Sequence, residues 1–292
     1  MLRFTGLTVA MLLALTCGVS AQDAYTLKLY KGKVGDQLKV SKSKTEGGTL
    51  KIEFGGMTRN EELAGGEKTV YTQEILAKPD GAKKPTKLKR TYEIAQKIEK
   101  KETVKQPFHG ETVTIEKVGD KYEFTMNGKK MNAADAVELD KEFNKKSEGP
   151  TNDEMLSDKP VKVGESWDVD VKKAIESLND DGKLTISEKG SSIKGKLLKA
   201  EKKDGVLFGT IEFTIVLVVE KMAFGQGESL PLKDGSKMKL VVAVETCLDG
   251  KVPGEKSDMT MLMTMEAGLP NNGKLVIDGK TTGTDSETPV KK

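Results

Sequence analysis

Apolar and polar residues alternate in short runs along most of this chain, and the runs end in Gly, Asp or Asn. YTLKLYK (25–31), DQLKVSK (36–42) and TLKIEF (49–54) repeat with period 2, the pattern of half-buried antiparallel strands. KTVYTQEILAK (68–78) and LKRTYEIAQKIEKKET (88–103) continue it. VTIEKVGDKYEFTMNG (113–128) predicts a hairpin, with Gly119-Asp120 as its turn. Strands resume with ESWDVDV (165–171), SIKGKLLKAEK (192–202), GVLFGTIEFTIVLVVEK (205–221), SKMKLVVAVETCLDG (236–250), SDMTMLMTMEAG (257–268) and GKLVIDGK (273–280).

The period changes once clearly. In NAADAVELDKEFNKK (132–146) Asn132 can cap, and Ala133, Val137 and Phe143 suit one face of a helix. The following SEGPTNDEMLSDKP (147–160) is polar and aperiodic, as a linker is. TTGTDSETPVKK (281–292) has the composition of a disordered tail.

One phrase recurs. KVGDQLKV begins at Lys33, KVGDKYEF at Lys117 and KVGESWDV at Lys162. The middle copy falls in the predicted hairpin, where Gly-Asp is ordinary turn chemistry. The outer two each open roughly half of the chain, with Gly35 or Gly164 permitting a tight bend into a strand. The fold expected is mainly β and antiparallel: two related curved sheets or half-barrels, 22–146 and 161–280, with one or two short helices. A single long-stranded barrel whose halves the phrases mark is the alternative.

The first residues point to export. Arg3 is the only charge before Asp23, Leu7 to Leu15 is apolar, and Val19-Ser20-Ala21 offers a small-residue cleavage site. This is the form of a secretory signal peptide cut after Ala21, giving a secreted or periplasmic protein. The apolar run is shorter than the roughly 20 residues of a transmembrane helix. Cys17 suggests a lipid anchor, but ALTC lacks the leucine three places earlier that such a signal uses. Cleavage leaves Cys247 alone, so no internal disulfide holds a chain of about 270 residues. The expected place for Cys247 is a strand interior.

Charge narrows the partners. There are 48 basic and 45 acidic residues, and after cleavage Arg59 and Arg90 are the only arginines. Nucleic-acid binders favour arginine forks and stacking aromatics, and aromatics are 5% of this chain. The lysines read as a solvated surface, and nucleic acid is not an expected partner.

The stretch KPVKVGESWDVD (159–170) resembles a phrase of uncharacterised exported bacterial proteins, Pro-Val-x-Val-Gly-acid-x-Trp before a strand. Pro160, Val161, Val163, Gly164, Glu165 and Trp167 carry the resemblance. It implies an exported β-rich domain of unknown function and transfers no catalytic or binding residue.

Candidate chemistry is sparse. SLNDDGKLTISE (177–188) places Asn179, Asp181, Gly182 and Glu188 at the third, fifth, sixth and twelfth positions of an EF-hand calcium loop. Ser177 replaces the first-position aspartate, however, and KGSSIKG after Glu188 does not suit an exiting helix. Met259, Met261, Met263 and Met265 alternate along one strand and would share a face. Thioethers suit Cu(I), but alternate positions lie roughly 7 Å apart, too far for neighbours to share an ion. A flexible apolar face, in a core or against a lipophilic ligand, fits them better. Trp167 would pack at the foot of the second unit or edge a ligand site.

His109 is the only histidine, in a loop where solvation is expected, and no nucleophile elbow or phosphate-cradling loop appears. The expected function is therefore a non-enzymatic exported protein without a cofactor, binding a lipophilic small molecule or an envelope protein. A calcium-binding or weakly catalytic protein centred on 177–188, and a structural envelope protein without a ligand, are the alternatives.

Overall fold

A computed structural model of the chain describes residues 23–99, 102–144, 149–179, 182–224 and 228–290. The expected signal peptide lies outside them. The strands β1 (Ala24–Tyr25), β2 (Gln37–Phe54), β3 (Met57–Ala77), β4 (Lys87–Glu99), β5 (Glu102–Lys105), β6 (Thr112–Val118), β7 (Lys121–Met126) and β8 (Lys129–Lys130) come first. Helices α1 (Val137–Phe143) and α2 (Asn152–Met155) and strands β9 (Val161–Lys162) and β10 (Ser166–Val169) follow. Helix α3 (Lys172–Asn179) precedes the long strands β11 (Leu184–Lys203) and β12 (Val206–Phe224). Then come β13 (Glu228–Pro231), β14 (Lys237–Cys247), β15 (Glu255–Leu269) and β16 (Gly273–Pro289).

The fold is mainly antiparallel β, as the alternation implies. One 14-stranded sheet runs β10-β11-β12-β14-β15-β16-β2-β3-β4-β6-β7-β8, with β13 beside β12 and β5 beside β4; β1 and β9 make a separate ribbon. The sheet does not close, so the barrel alternative falls. The two segments expected as separate units share this sheet through β16, which pairs with β2 from Lys274↔Glu53 to Pro289↔Leu38.

Four local expectations are corrected. The tail from Thr281 is strand as far as Pro289, paired with β15 on one side and β2 on the other. Its threonines are poor in apolar area but β-branched, and two ladders satisfy their backbone. Within the described residues the helix expected over 132–146 is only α1, because Asn132 Oδ1 accepts the Asp135 N–H at 2.9 Å and closes a turn at its start; residues 145 and 146 lie outside them. The strand expected over 25–31 is two residues of β1 plus a single bridge, Lys28 to Asp249. Leu27 is drawn into a buried cluster with Val161, Leu197 and Leu248. The linker holds α2, capped reciprocally by Thr151 and Glu154.

The outer copies of the repeated phrase adopt one geometry. Gly35 and Gly164 both have φ 86°, which favours glycine. The Gly35 N–H donates to Ile75 O and the Gly164 N–H to Leu197 O, at 2.9 and 2.6 Å. The same two residues donate back to the acid's carbonyl, Ile75 to Asp36 and Leu197 to Glu165, each at 3.1 Å. The acid's side chain accepts the lysine N–H three residues earlier, at 2.6 Å for Asp36 and 2.8 Å for Glu165. The middle copy is a two-residue hairpin loop between the paired Val118 and Lys121.

Asparagines at the C-terminal ends of two helices seal the sheet's edges. Asn144 Oδ1 accepts the Tyr122 N–H of β7 at 2.7 Å, and its Nδ2 donates to Tyr122 O at 3.0 Å. Asn179 Oδ1 accepts the Ile186 N–H of β11 at 2.8 Å, and its Nδ2 reaches Ile186 O at 3.5 Å. Each amide imitates a neighbouring strand where an open edge would otherwise invite another chain.

Most of the sheet's buried side chains lie on one face, here termed inner. Helix α1 covers Leu38, Val40, Tyr71, Leu88 and Tyr92 at the N-terminal side. The β1–β9 ribbon covers Leu197, Ile211 and Phe213, and α3 packs Ile175 on Ile186 and Leu217. Among the described residues no helix is long and apolar enough to cross a membrane.

Candidate functional site

Between these covers, β14 and β15 present a partly open stretch of inner face. Strand pairing sets Met238, Leu240 and Val242 opposite Met263, Met261 and Met259. On the other side Met259, Met261, Met263 and Met265 oppose Gly283, Thr281, Gly279 and Ile277 of β16. The methionines do share a face, but their surroundings differ. Met265 is 1% exposed, in a cluster with Val219, Leu275 and Ile277, and Met263 packs against that cluster. Met259 and Met261 are half-buried, as are Leu240 and Val242, and none of these four belongs to a buried cluster.

The glycines of β16 leave room for the thioethers to lie down. A Cβ on Gly283 would stand 2.9 Å from Met259 Cε, and one on Gly279 would stand 3.1 Å from Met263 Cε. The flexible side chains thus spread over a floor that any larger residue would raise.

Trp167 is not part of this patch. It lies on Gly195, where a Cβ would come within 2.2 Å of its ring, and meets Phe213 edge-on at 6.3 Å. Its Nε1 donates to Met155 O at 2.8 Å, which ties α2 to β10. Three strands, β11, β12 and β14, separate it from the methionines.

Of the EF-hand stretch, residues 177–179 end α3 and residues 184–188 begin β11. Asp181 lies outside the described residues. The side-chain oxygen of Asn179 is engaged by the Ile186 N–H, and Glu188 is an exposed residue of β11. An extended strand therefore occupies the place of the exiting helix. Among the described residues no group of three or more His, Cys, Asp or Glu side chains is placed to hold a metal ion.

His109 is half-buried rather than solvated, and its Nδ1 accepts the Ala95 N–H at 3.1 Å. Cys247 is buried, with Sγ 3.1 Å from Asp249 Oδ1. Lys251 foremost, then Cys247, holds the Asp249 carboxyl well below its ordinary range.

Sequence reasoning missed a charged group on the inner face under α1. Arg90 is 6% exposed, and its Nη1 and Nη2 donate to both carboxylate oxygens of Glu142 at 2.8 and 2.9 Å. Its Nε donates to Gln73, and its plane sits 4.4 Å from the Tyr71 ring centroid and 4.9 Å from that of Phe143. Burial would raise the Glu142 carboxyl, but the bonds from Arg90 outweigh it and hold it below its usual value. The sequence does carry a signal for this: in LKRTYEI, Arg90 falls in phase with the inward Leu88 and Tyr92.

Farther along the same face lie Lys42, Asp285, Glu287 and Glu255. Lys42 Nζ is 3.3 Å from Asp285 Oδ2, while Asp285 Oδ1 is buried without a hydrogen-bond partner.

Two open clefts can be described. One, about 440 Å³, lies at the β7–β8 hairpin beside Met126, Met131 and Asp135. The other, about 430 Å³, lies on the inner face between Lys44, Glu46, Glu67, Lys97 and Glu138. Neither is lined by the methionines of β15. The chain matches no family model, and no curated protein matches its sequence.

Proposed function

We propose that this is an exported, non-catalytic binding protein that takes a lipophilic molecule against the inner face of β14 and β15. The observation that carries the reading is the half-buried patch of Leu240, Val242, Met259 and Met261, flanked by covered core on one side and by charge on the other. Apolar side chains at a sheet centre left partly open favour an apolar guest, and methionine adapts to guests of varied shape. Export rests on the N-terminal pattern and on the resemblance of residues 159–170 to exported β-rich proteins. The shared geometry of the turns at Gly35 and Gly164 supports reading the sheet as two related halves.

The test is titration of the purified chain with a neutral lipophilic fluorophore such as N-phenyl-1-naphthylamine. Saturable binding that weakens at least tenfold in Val242→Asp and in Met261→Asp is expected, with native mass spectrometry identifying any co-purified ligand. No saturable binding, or binding unchanged in both folded variants, overturns the reading. A co-purifying protein in place of a small molecule would reassign the patch to a partner surface.

A further inference from the structure

The joint between the two halves carries charges that the binding patch does not use. Glu255 of β15 stands directly opposite Glu287 of β16. Both point to the inner face and both are half-buried. Like charges directly opposite one another weaken a strand pair, more so where water screens them less. Asp285, on the same face of β16, adds a third carboxylate with one oxygen unpartnered.

The groups facing this trio from every neighbouring element supply little positive charge. From β14, Thr246 stands opposite Glu255, with its hydroxyl directed to Gly254 O. From β2, Lys42 pairs with Asp285. From β3 comes Tyr71, and from β4 comes Arg90, which is already clamped by Glu142 of α1. Among the described residues Lys42 is ion-paired within the trio, and Arg90, bound to Glu142, adds its field only at Glu287.

We infer that the β15–β16–β2 joint is a proton-sensitive latch, in which proton uptake by the Glu255–Glu287 pair tightens the strand pairing that unites the halves of the sheet. One proton shared by the pair would remove the repulsion and provide a donor between the two groups. Burial pushes both carboxyls above their ordinary value; Glu287 and Asp285 push Glu255 further, while Lys42 opposes the rise in each. For carboxyls raised in the folded state, the cost of their charge is absent below the unfolded pKa. It sets in as pH rises through the folded one. The latch is firmer in acid and looser at neutral pH.

Melting temperatures of the chain and of Glu287→Gln, measured from pH 4 to pH 8, test this. The variant should melt about 2–4 °C above the parent at pH 8, with the gap closing toward pH 4. Glu255→Gln should do the same, and the double variant should gain less than the sum. A gap that does not change with pH, or a variant less stable than the parent at pH 8, overturns the latch. Carboxyl ¹³C NMR of the unmodified chain gives a second readout. Two coupled titrations above the ordinary glutamate value are expected, and two ordinary ones refute the proposal.

Discussion

The inner face of the sheet is treated differently at its two sides. Under α1 it is closed: Tyr71, Tyr92 and Phe108 pack at tilted angles with ring centroids 5.2 and 4.7 Å apart, and Arg90 is clamped between rings and Glu142. Along β14 and β15 it is half open, floored by glycines and surfaced by methionine, valine and leucine. The closed side buries a charge and fully pairs it. The open side leaves apolar groups partly wet and leaves carboxylates facing one another. A sheet that needed only to be stable would gain by covering both sides; on the proposed binding reading, the open side is where a ligand would add stability.

The contrast can be broken from either side. The largest effect expected is Met265→Ala, at the fully buried end of the methionine row, which should cost about 2–5 kcal/mol in chemical denaturation. Glu142→Ala should follow at roughly 2 kcal/mol, because it strands a buried guanidinium; the half-exposed carboxylate keeps the cost below that of a fully buried pair. Replacing both partners together, Arg90→Met with Glu142→Leu, should recover most of that loss. Asn144→Ala should cost about 1–2 kcal/mol by freeing the β7 edge, and should raise the light scattering of concentrated samples. Met261→Ala should cost less than about 1 kcal/mol, since its site is already partly wet. If Met261→Ala cost as much as Met265→Ala, the open patch would be core.

Acid sharpens the same comparison, because the two sides titrate with opposite sign. Glu142 is held below its usual value, so its contribution is present above the ordinary carboxylate range and is lost as pH falls through the lowered value. Glu255 and Glu287 are held above theirs, so acid relieves them. Hydrogen exchange at about pH 5 against pH 8 should show β15 and β16 gaining protection relative to α1 and β4.

Much of the architecture was legible in the chain. Period-2 alternation identified most of the long strands, because a sheet with one buried face imposes that period directly on the residues. The hairpin at Gly119 and the core packing of Trp167 follow from equally local chemistry. Met259–Met265 were legible as one face, but not as two core residues and two open ones. That division depends on what lies above each residue, which is a matter of where α3, the ribbon and α1 come to rest.

The rest was decided by tertiary structure. Lys-Val-Gly-Asp is written identically at 33–36 and 117–120, yet one copy bonds to Ile75 of a remote strand and the other folds back on its own neighbour. The tail from Thr281 has little apolar area of its own and becomes strand because β15 and β2 offer it a ladder on each side. Asn179, in the pattern of a calcium loop, bonds a strand edge instead, since an edge N–H is a nearby unsatisfied donor. By itself the sequence determined strand phase, turn positions and which faces are apolar, all consequences of neighbours along the chain. Only the tertiary structure decided which strands meet, which charges confront one another and which part of the apolar face stays open, because those depend on residues far apart in sequence.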